Sequence, residues 1–254
     1  MRALRQLAPA LALGIGVLVV WELAVVVFDI EEFLLPKPSS ILQALADEWS
    51  LMWRAGWETG KIAVVGLILG VAAGALLALA TTWSRTLREG ATPLAIAVNA
   101  TPIVALAPIF NAWFGITDPR SNQAVVVAVV FFPVFINTSR GLIEVAPNQL
   151  ELMRSYGSSR LTVIRRVRIP NALPLFLTSL RIVAPLSVIA AIVAEYFGGP
   201  QNRIGPVITQ NASFARYDSA WAAIVVASAL GLGLFAIAVV VEKVAMPWRR
   251  RSEG

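Results

Sequence analysis

The chain contains no cysteine and no histidine. The first absence excludes disulfides and thiol nucleophiles, and the two together remove imidazole general bases and every Cys or His metal site. Charge is also scarce, since Asp, Glu, Lys and Arg make up 14% of the 254 residues, where soluble domains carry about a quarter. No paired carboxylates, nucleophile and base set or metal cluster can be assembled from what remains, so no catalytic residue and no metal ligand is assigned. What fills the chain instead is apolar. Hydrophobic residues account for 57% of it and the mean hydropathy is +0.73, a content that lipid accommodates and water does not. The class this implies is an all-α, multi-pass membrane protein.

A helix needs about 20 mostly apolar residues to cross the hydrocarbon core. Six stretches meet or approach that length, at about 7–28, 62–82, 91–116, 124–138, 175–196 and 220–241. The first is too long and unbroken for a cleaved signal peptide and reads as an anchor. The third carries Pro93, Pro102 and Pro108, which are tolerated at membrane depth when neighbouring helices or a cavity satisfy the freed carbonyls, so it belongs inside the bundle. An even number of spans puts both termini on one side. Basic residues select that side: with a cytoplasmic N-terminus, fifteen of the 21 Lys and Arg residues fall inward and six outward, as the positive-inside rule requires. The net charge of +6 therefore reads as topology and membrane-lipid contact rather than as a nucleic-acid footprint, and Arg249–Arg251 as a stop at the inner surface.

Two connections exceed mere turns. The outer one begins Leu35-Pro36-Lys37-Pro38, after which Ser39 and Ser40 offer N-cap oxygens. Helical spacing predicts an outer interfacial helix over about 40–57, with Trp49, Trp53 and Trp57 at i, i+4 and i+8 along one face at headgroup level. The inner one, about 144–174, is polar and basic. Its pattern predicts a helix closed by Gly157 as C-cap, then a short helix started by Ser158 or Ser159 and ended by Pro170. Two short helices joined by a glycine turn make a compact knob.

Within the spans, polar residues mark a candidate path. Asn99, Thr101, Asn111, Asn137 and Thr138 lie on the third and fourth spans, and buried amides face a bundle interior or a cavity. Hydroxyls such as Ser179 and Ser187 can instead bond their own helix. Glu195, before Tyr196 and Gly198-Gly199-Pro200, sits at the outer mouth, either gating or solvated, and Glu22 suits helix pairing or the interface. Gly66, Gly70 and Gly74 form a small-residue ridge for close packing, within the chain or at a dimer seam. The segment 197–218 mixes turns with a short amphipathic piece. No phosphate-cradling loop exists: Gly56 to Lys61 is one residue short of G-x4-G-K and is followed by Ile62.

At the knob the sequence resembles a known family. Glu151-Leu152-Met153, three residues, Gly157, nine residues, then Val167-Arg168-Ile169-Pro170 follows the E-A-A-x3-G-x9-I-x-L-P pattern of permease subunits of binding-protein-dependent ABC importers. Leu152, Met153, Val167 and Ile169 depart from it while keeping apolar character. Resemblance extends through Trp21-Glu22, Leu35 to Ser39, Pro102 to Gly115, Phe131-Phe132-Pro133 and Asn137-Thr138, in the order found in the group importing nitrate, taurine, sulfonates and some vitamin or pyrimidine precursors. It implies a type I importer permease of about six spans, in a bacterial inner membrane. It also implies a homodimer with a second permease copy, two ATPase subunits that bind the ATP, and an extracytoplasmic substrate-binding protein; no cofactor is bound by this chain directly. The residues implied to couple to the ATPases are Glu151, Leu152, Met153, Gly157, Val167, Ile169 and Pro170. Arg154, Arg160, Arg165, Arg166 and Arg168 would meet ATPase carboxylates or lipid headgroups. The competing reading is an ion- or proton-coupled secondary transporter, which would need acids near mid-membrane that these spans almost lack. The path residues contain no strong cationic site demanding an anion, which ranks a neutral, sulfonated or heteroaromatic cargo ahead of nitrate.

Overall fold

The computed structural model describes residues 2–84, 86, 87, 89, 90, 93, 95 and 103–247, and every regular element among them is helical. In chain order these are α1 (Arg2–Val27), α2 (Pro38–Asp47) and α3 (Trp49–Ala80), then a 3₁₀ turn (Ile103–Leu106) leading into α4 (Ala107–Phe114). There follow α5 (Pro119–Ile143), α6 (Pro147–Ser155), α7 (Arg160–Val163), a π turn (Ile164–Arg168), α8 (Ile169–Glu195), α9 (Ile204–Ser213) and α10 (Tyr217–Ala245). Four helices are long and apolar enough to cross a membrane, Trp49–Ala80, Pro119–Ile143, the continuous Arg160–Glu195 and Tyr217–Ala245, and Ala12–Val27 supplies a shorter apolar stretch. Part of the third predicted span, including Asn99 and Thr101, lies outside the described residues.

The core forms where small residues let backbones approach. Gly66, Gly70 and Gly74 of α3 face Val126, Val130 and Val134 of α5, and the numbers rise together, so the two helices run parallel. A Cβ on Gly66 would lie 2.5 Å from Val126 Cβ, and one on Gly74 would lie 2.8 Å from the Phe131 carbonyl. The ridge is therefore an intrachain seam. Gly141 of α5 meets Ala172 of α8 in the same way, with 2.6 Å from an added Cβ to Ala172 Cα. Around these contacts Met52, Ile62, Val126, Val183, Val188 and Ile204 form the main buried cluster. Helix α10 lies antiparallel to α8, joined by Arg181, whose guanidinium is 3.1 Å from the Glu242 carboxylate and sits over the Phe235 ring at 5.7 Å.

The outer helix expected over 40–57 is two helices. α2 ends at Asp47, and the three tryptophans belong to α3, whose 32 residues rise about 48 Å, well beyond a hydrocarbon core. No residue between Trp57 and Ile62 stops a helix, so the stripe and the span are continuous. Trp49, Trp53 and Trp57 remain 56%, 61% and 61% exposed, and Trp49 stacks on Trp53 with centroids 6.1 Å apart. The break at Glu48 is held from outside, because its carboxylate accepts the Ser219 hydroxyl of α10 at 3.0 Å. Nor do the serines cap α2 as expected. Lys37 is the N-cap without a side-chain bond, while Glu22 of α1 accepts both the Ser39 N–H at 3.0 Å and the Ser39 hydroxyl at 2.7 Å. Glu22 thus supplies the negative charge that a helix N-terminus favours and pairs α1 with α2.

Pro170 does not end the second knob helix. The chain runs unbroken from Arg160 to Glu195, because the π turn at Ile164–Arg168 widens the helix where proline lacks a donor and its ring crowds the preceding turn.

Candidate functional site

The knob lies at one end of the bundle, between α5 and α8. Helix α6 stops as its sequence predicts. Gly157 adopts φ +63, its N–H reaches the Arg154 carbonyl at 2.9 Å and the Ser158 N–H reaches the Met153 carbonyl at 3.0 Å, the two bonds of a Schellman cap. Ser159 then caps α7, its hydroxyl accepting the Thr162 N–H at 3.3 Å. Between α6 and the π turn runs an open groove of about 430 Å³ walled by Leu152, Met153, Val167 and Pro170, with Arg166 and Asn171 closing it. Four of the seven residues expected to couple to ATPases thus share one groove. Glu151 and Gly157 are exposed beside it, Ile169 is 42% exposed, and Leu152 and Tyr156 present 55% and 76% of their surface.

The knob arginines divide. Arg160, itself exposed, and Arg168 bond to the bundle's own backbone: Arg160 Nη2 donates to the Thr82 and Trp83 carbonyls, both at 2.9 Å, and Arg168 Nη1 donates to the Leu142 carbonyl at 3.0 Å. Asn171 adds bonds from Nδ2 to the Gly141 and Glu144 carbonyls at 2.7 and 3.0 Å. These carbonyls stand at helix ends, where no further turn supplies a donor. Arg154, Arg165 and Arg166 are exposed. Sequence reasoning gave all five arginines outside partners and passed over Asn171, because the acceptors are main-chain atoms that leave no mark in the sequence.

At the opposite end, the polar residues form a closed belt. Glu195 is 2% exposed rather than solvated: it accepts the Thr59 hydroxyl at 3.0 Å and the Gly205 N–H at 2.9 Å. Thr59 Oγ1 in turn accepts the Ile204 N–H at 3.0 Å, so the first N–H groups of α9 are held by α3 and α8. Arg203, 4% exposed, lies close enough to act electrostatically on Glu195. Asn111 of α4 donates to the Phe197 carbonyl at 3.1 Å and accepts the Ser121 hydroxyl, and Asn122 donates to the Gly198 carbonyl at 3.2 Å. Thr59, Ser121, Asn122 and Arg203 went unweighed in the sequence, since each looks like an ordinary loop or helix-end residue until its partner is known.

In the knob-side half of α5, Asn137 Nδ2 donates to the Pro133 carbonyl at 2.9 Å. Thr138 is buried with its hydroxyl unpartnered. The structure therefore separates the expected path residues: Asn111 and Glu195 lie in the belt, Asn137 and Thr138 lie on α5, and among the described residues no hydrogen bond joins the two sets.

Comparison with known proteins agrees with this architecture. A family model described as "Binding-protein-dependent transport system inner membrane component" matches residues 66–245. The formylaminopyrimidine transport permease protein of Halalkalibacterium halodurans is 33% identical over 254 residues, covering 99% of each chain. The riboflavin transport system permease protein of Chloroflexus aurantiacus is 27% identical over 249 residues, covering 94% of this chain and 91% of that one. Among solved structures, an amino acid ABC transporter with histidines superposes with a TM-score of 0.63 at 17% identity, over 79% of this chain and 97% of that chain, a likeness of fold.

Proposed function

The chain belongs to the family of binding-protein-dependent transport system inner membrane components and is a permease subunit of an ABC importer; from that premise we propose that the knob is where the ATPases dock. The observation that carries this is the groove uniting Leu152, Met153, Val167 and Pro170 beside exposed Glu151. A groove with apolar walls, polar ends at Gln149, Arg166 and Asn171 and exposed Glu151 beside it suits a partner helix or loop, and a knob tied to several spans transmits rigid-body motion. ATP would be bound by two partner subunits, with the knob end and both termini cytoplasmic. A second copy of the chain would complete the path, since α10 leaves Leu232, Ile237, Val240 and Val244 uncovered. A binding protein would deliver cargo at the belt end.

Glu151→Lys and Gly157→Leu test the docking. Each is expected to insert normally yet lose ATPase co-purification and transport; normal behaviour of both would overturn the assignment. Ion coupling is the less supported alternative, because the carboxylate of Glu195 is already occupied by Thr59 and Gly205. For the cargo we propose a small heteroaromatic compound of the pyrimidine type, supported by the end-to-end similarity to the formylaminopyrimidine permease. The cognate binding protein's melting temperature should rise with formylaminopyrimidine and not with taurine; the reverse pattern would reject that class.

A further inference from the structure

Three spans end at the knob, and each is fastened to it differently. Helix α8 is covalently continuous with it through the π turn. Helix α5 is tied by Asn171 and Arg168, which together place donors on the carbonyls of Gly141, Leu142 and Glu144. Helix α3 is reached from Arg160, 78 positions away from Thr82 in sequence, through one guanidinium nitrogen shared between the Thr82 and Trp83 carbonyls.

The α3 contact has the properties of a mechanical joint. Its acceptors are main-chain atoms in the turn that closes α3, where Thr82 and Trp83 donate back to Leu79 and Ala80 at 3.0 and 3.1 Å, so a force on them acts on the helix itself rather than on a flexible side chain. The C-terminal end of a helix carries partial negative charge, and a cation there is attracted by the dipole as well as by the carbonyls. Two hydrogens from one planar group resist sliding and rotation together. Beyond the joint, α3 cannot move without α5, because the Gly66, Gly70 and Gly74 seam brings the two backbones into direct contact. At the other side of the joint, Arg160 opens α7 directly after the Ser159 cap, so its stem is anchored in the knob.

We propose that Arg160 is the positioning residue through which displacement of the knob reaches α3, making α3, α5 and the knob move as one body. This rests on the reading that the knob receives the motion of docked ATPases. Arg168 and Asn171 hold α5 to α8, and Thr81 Oγ1 lies 3.4 Å from Ser139 Oγ of α5, so α3 also reaches the knob indirectly through α5; Arg160 is the direct tie from the knob to the closing turn of α3, and its loss leaves that turn held only through α5.

The chain lacks cysteine, so introduced thiols are unique labels. Spin labels at Leu76→Cys and Leu161→Cys, positions 67% and 53% exposed, report the distance from α3 to the knob in the permease–ATPase complex in nanodiscs, with and without ATP and vanadate. In the otherwise native chain that distance should stay the same in both states. With Arg160→Ala the ATPases should still co-purify, the distance should differ between the two states, and ATP hydrolysis stimulated by the binding protein should fall about tenfold, the scale of a lost charged hydrogen bond. An unchanged distance in Arg160→Ala, or full stimulation, overturns the joint. So does release of the ATPases, which would make Arg160 a docking residue instead. If Arg160→Ala does not insert, Arg160→Gln, which keeps an amide donor but neither the charge nor the reach, takes its place in both measurements, and an unchanged distance or full stimulation there overturns the joint equally. Failure of the docking reading itself shows separately, as a Glu151→Lys complex that retains its ATPases.

Discussion

Thr59 and Glu195, 136 positions apart, share one buried hydrogen bond in which the threonine hydroxyl donates to the carboxylate at 3.0 Å while its oxygen receives the Ile204 N–H. The hydroxyl is thus directional: proton toward α8, lone pair toward α9. With the Gly205 N–H also on Glu195, both leading donors of α9 are accounted for inside the bundle, which is how a ten-residue helix lying between two spans is kept in one orientation.

Removing either partner should loosen α9. Thr59→Val keeps the shape but leaves the Ile204 N–H and one carboxylate face without partners, an expected loss of about 2 kcal/mol. Glu195→Ala should cost more, about 3 kcal/mol, because two buried donors, the Thr59 hydroxyl and the Gly205 N–H, lose their acceptor and a cavity is left. Melting of the purified chain in detergent gives the order. Equal effects of the two substitutions would mean that the Gly205 N–H finds another acceptor when Glu195 is removed.

The glycine seam predicts an asymmetry between two alanine substitutions. At Gly66 the nearest obstacles to a Cβ are Val126 side-chain atoms at 2.5 and 2.6 Å, whereas at Gly74 they are the Phe131 carbonyl at 2.8 Å and the Phe135 nitrogen at 3.1 Å. Side chains can be trimmed and backbone cannot. Gly66→Ala should destabilise by about 1–3 kcal/mol and show a favourable coupling with Val126→Gly, which removes both obstructing atoms, in a double-mutant cycle, while Gly74→Ala should show little coupling with Val134→Gly. Gly14→Ala and Gly16→Ala, where nothing lies within 4 Å of an added Cβ in the chain, serve as unobstructed controls that do not lower the melting point of the single chain.

How much of this was legible in the sequence depends on the reach of each signal. Gly157 and Ser159 obey cap rules that act within five residues, and the structure places both caps where the spacing put them. The Gly66 ridge announced close packing by its period alone, but not its partner, since valines on α5 look the same whichever face they present. Pro170 misled because a local rule forbids proline in a helix, and the π turn that accommodates it has no composition of its own. Least legible were the joints of Arg160 and Asn171 and the belt around Thr59: their partners are main-chain groups or residues more than a hundred positions distant, and positive-inside counting already offered the arginines a sufficient reason to exist.

Asn111 distinguishes a path residue from a structural one. Its amide spans Ser121 and the Phe197 carbonyl, so Asn111→Leu should strip partners from both and lower stability by about 2 kcal/mol. Asn111→Asp should also fail, since a carboxylate cannot donate to Phe197. If Asn111 instead contacts cargo, Asn111→Leu would leave melting intact and alter which compounds the assembled importer carries; paired melting and competition uptake measurements separate the two.

Gly157 offers the cleanest separation of local strain from partner contact. A Cβ there meets nothing within 4 Å, so the penalty for any replacement in the isolated chain is the left-handed backbone alone, about 1–2 kcal/mol for alanine and less for asparagine. Gly157→Asn should therefore melt close to the parent chain and Gly157→Ala slightly below it. The docked complex adds a second requirement, because a side chain standing out from the exposed turn would meet an ATPase pressed against the knob. Both variants should then bind the ATPases less well, in order of side-chain bulk rather than in order of backbone strain, with Asn worse than Ala. Co-purification that instead tracks the melting order would show that Gly157 serves the turn of α6 and does not lie under the partner.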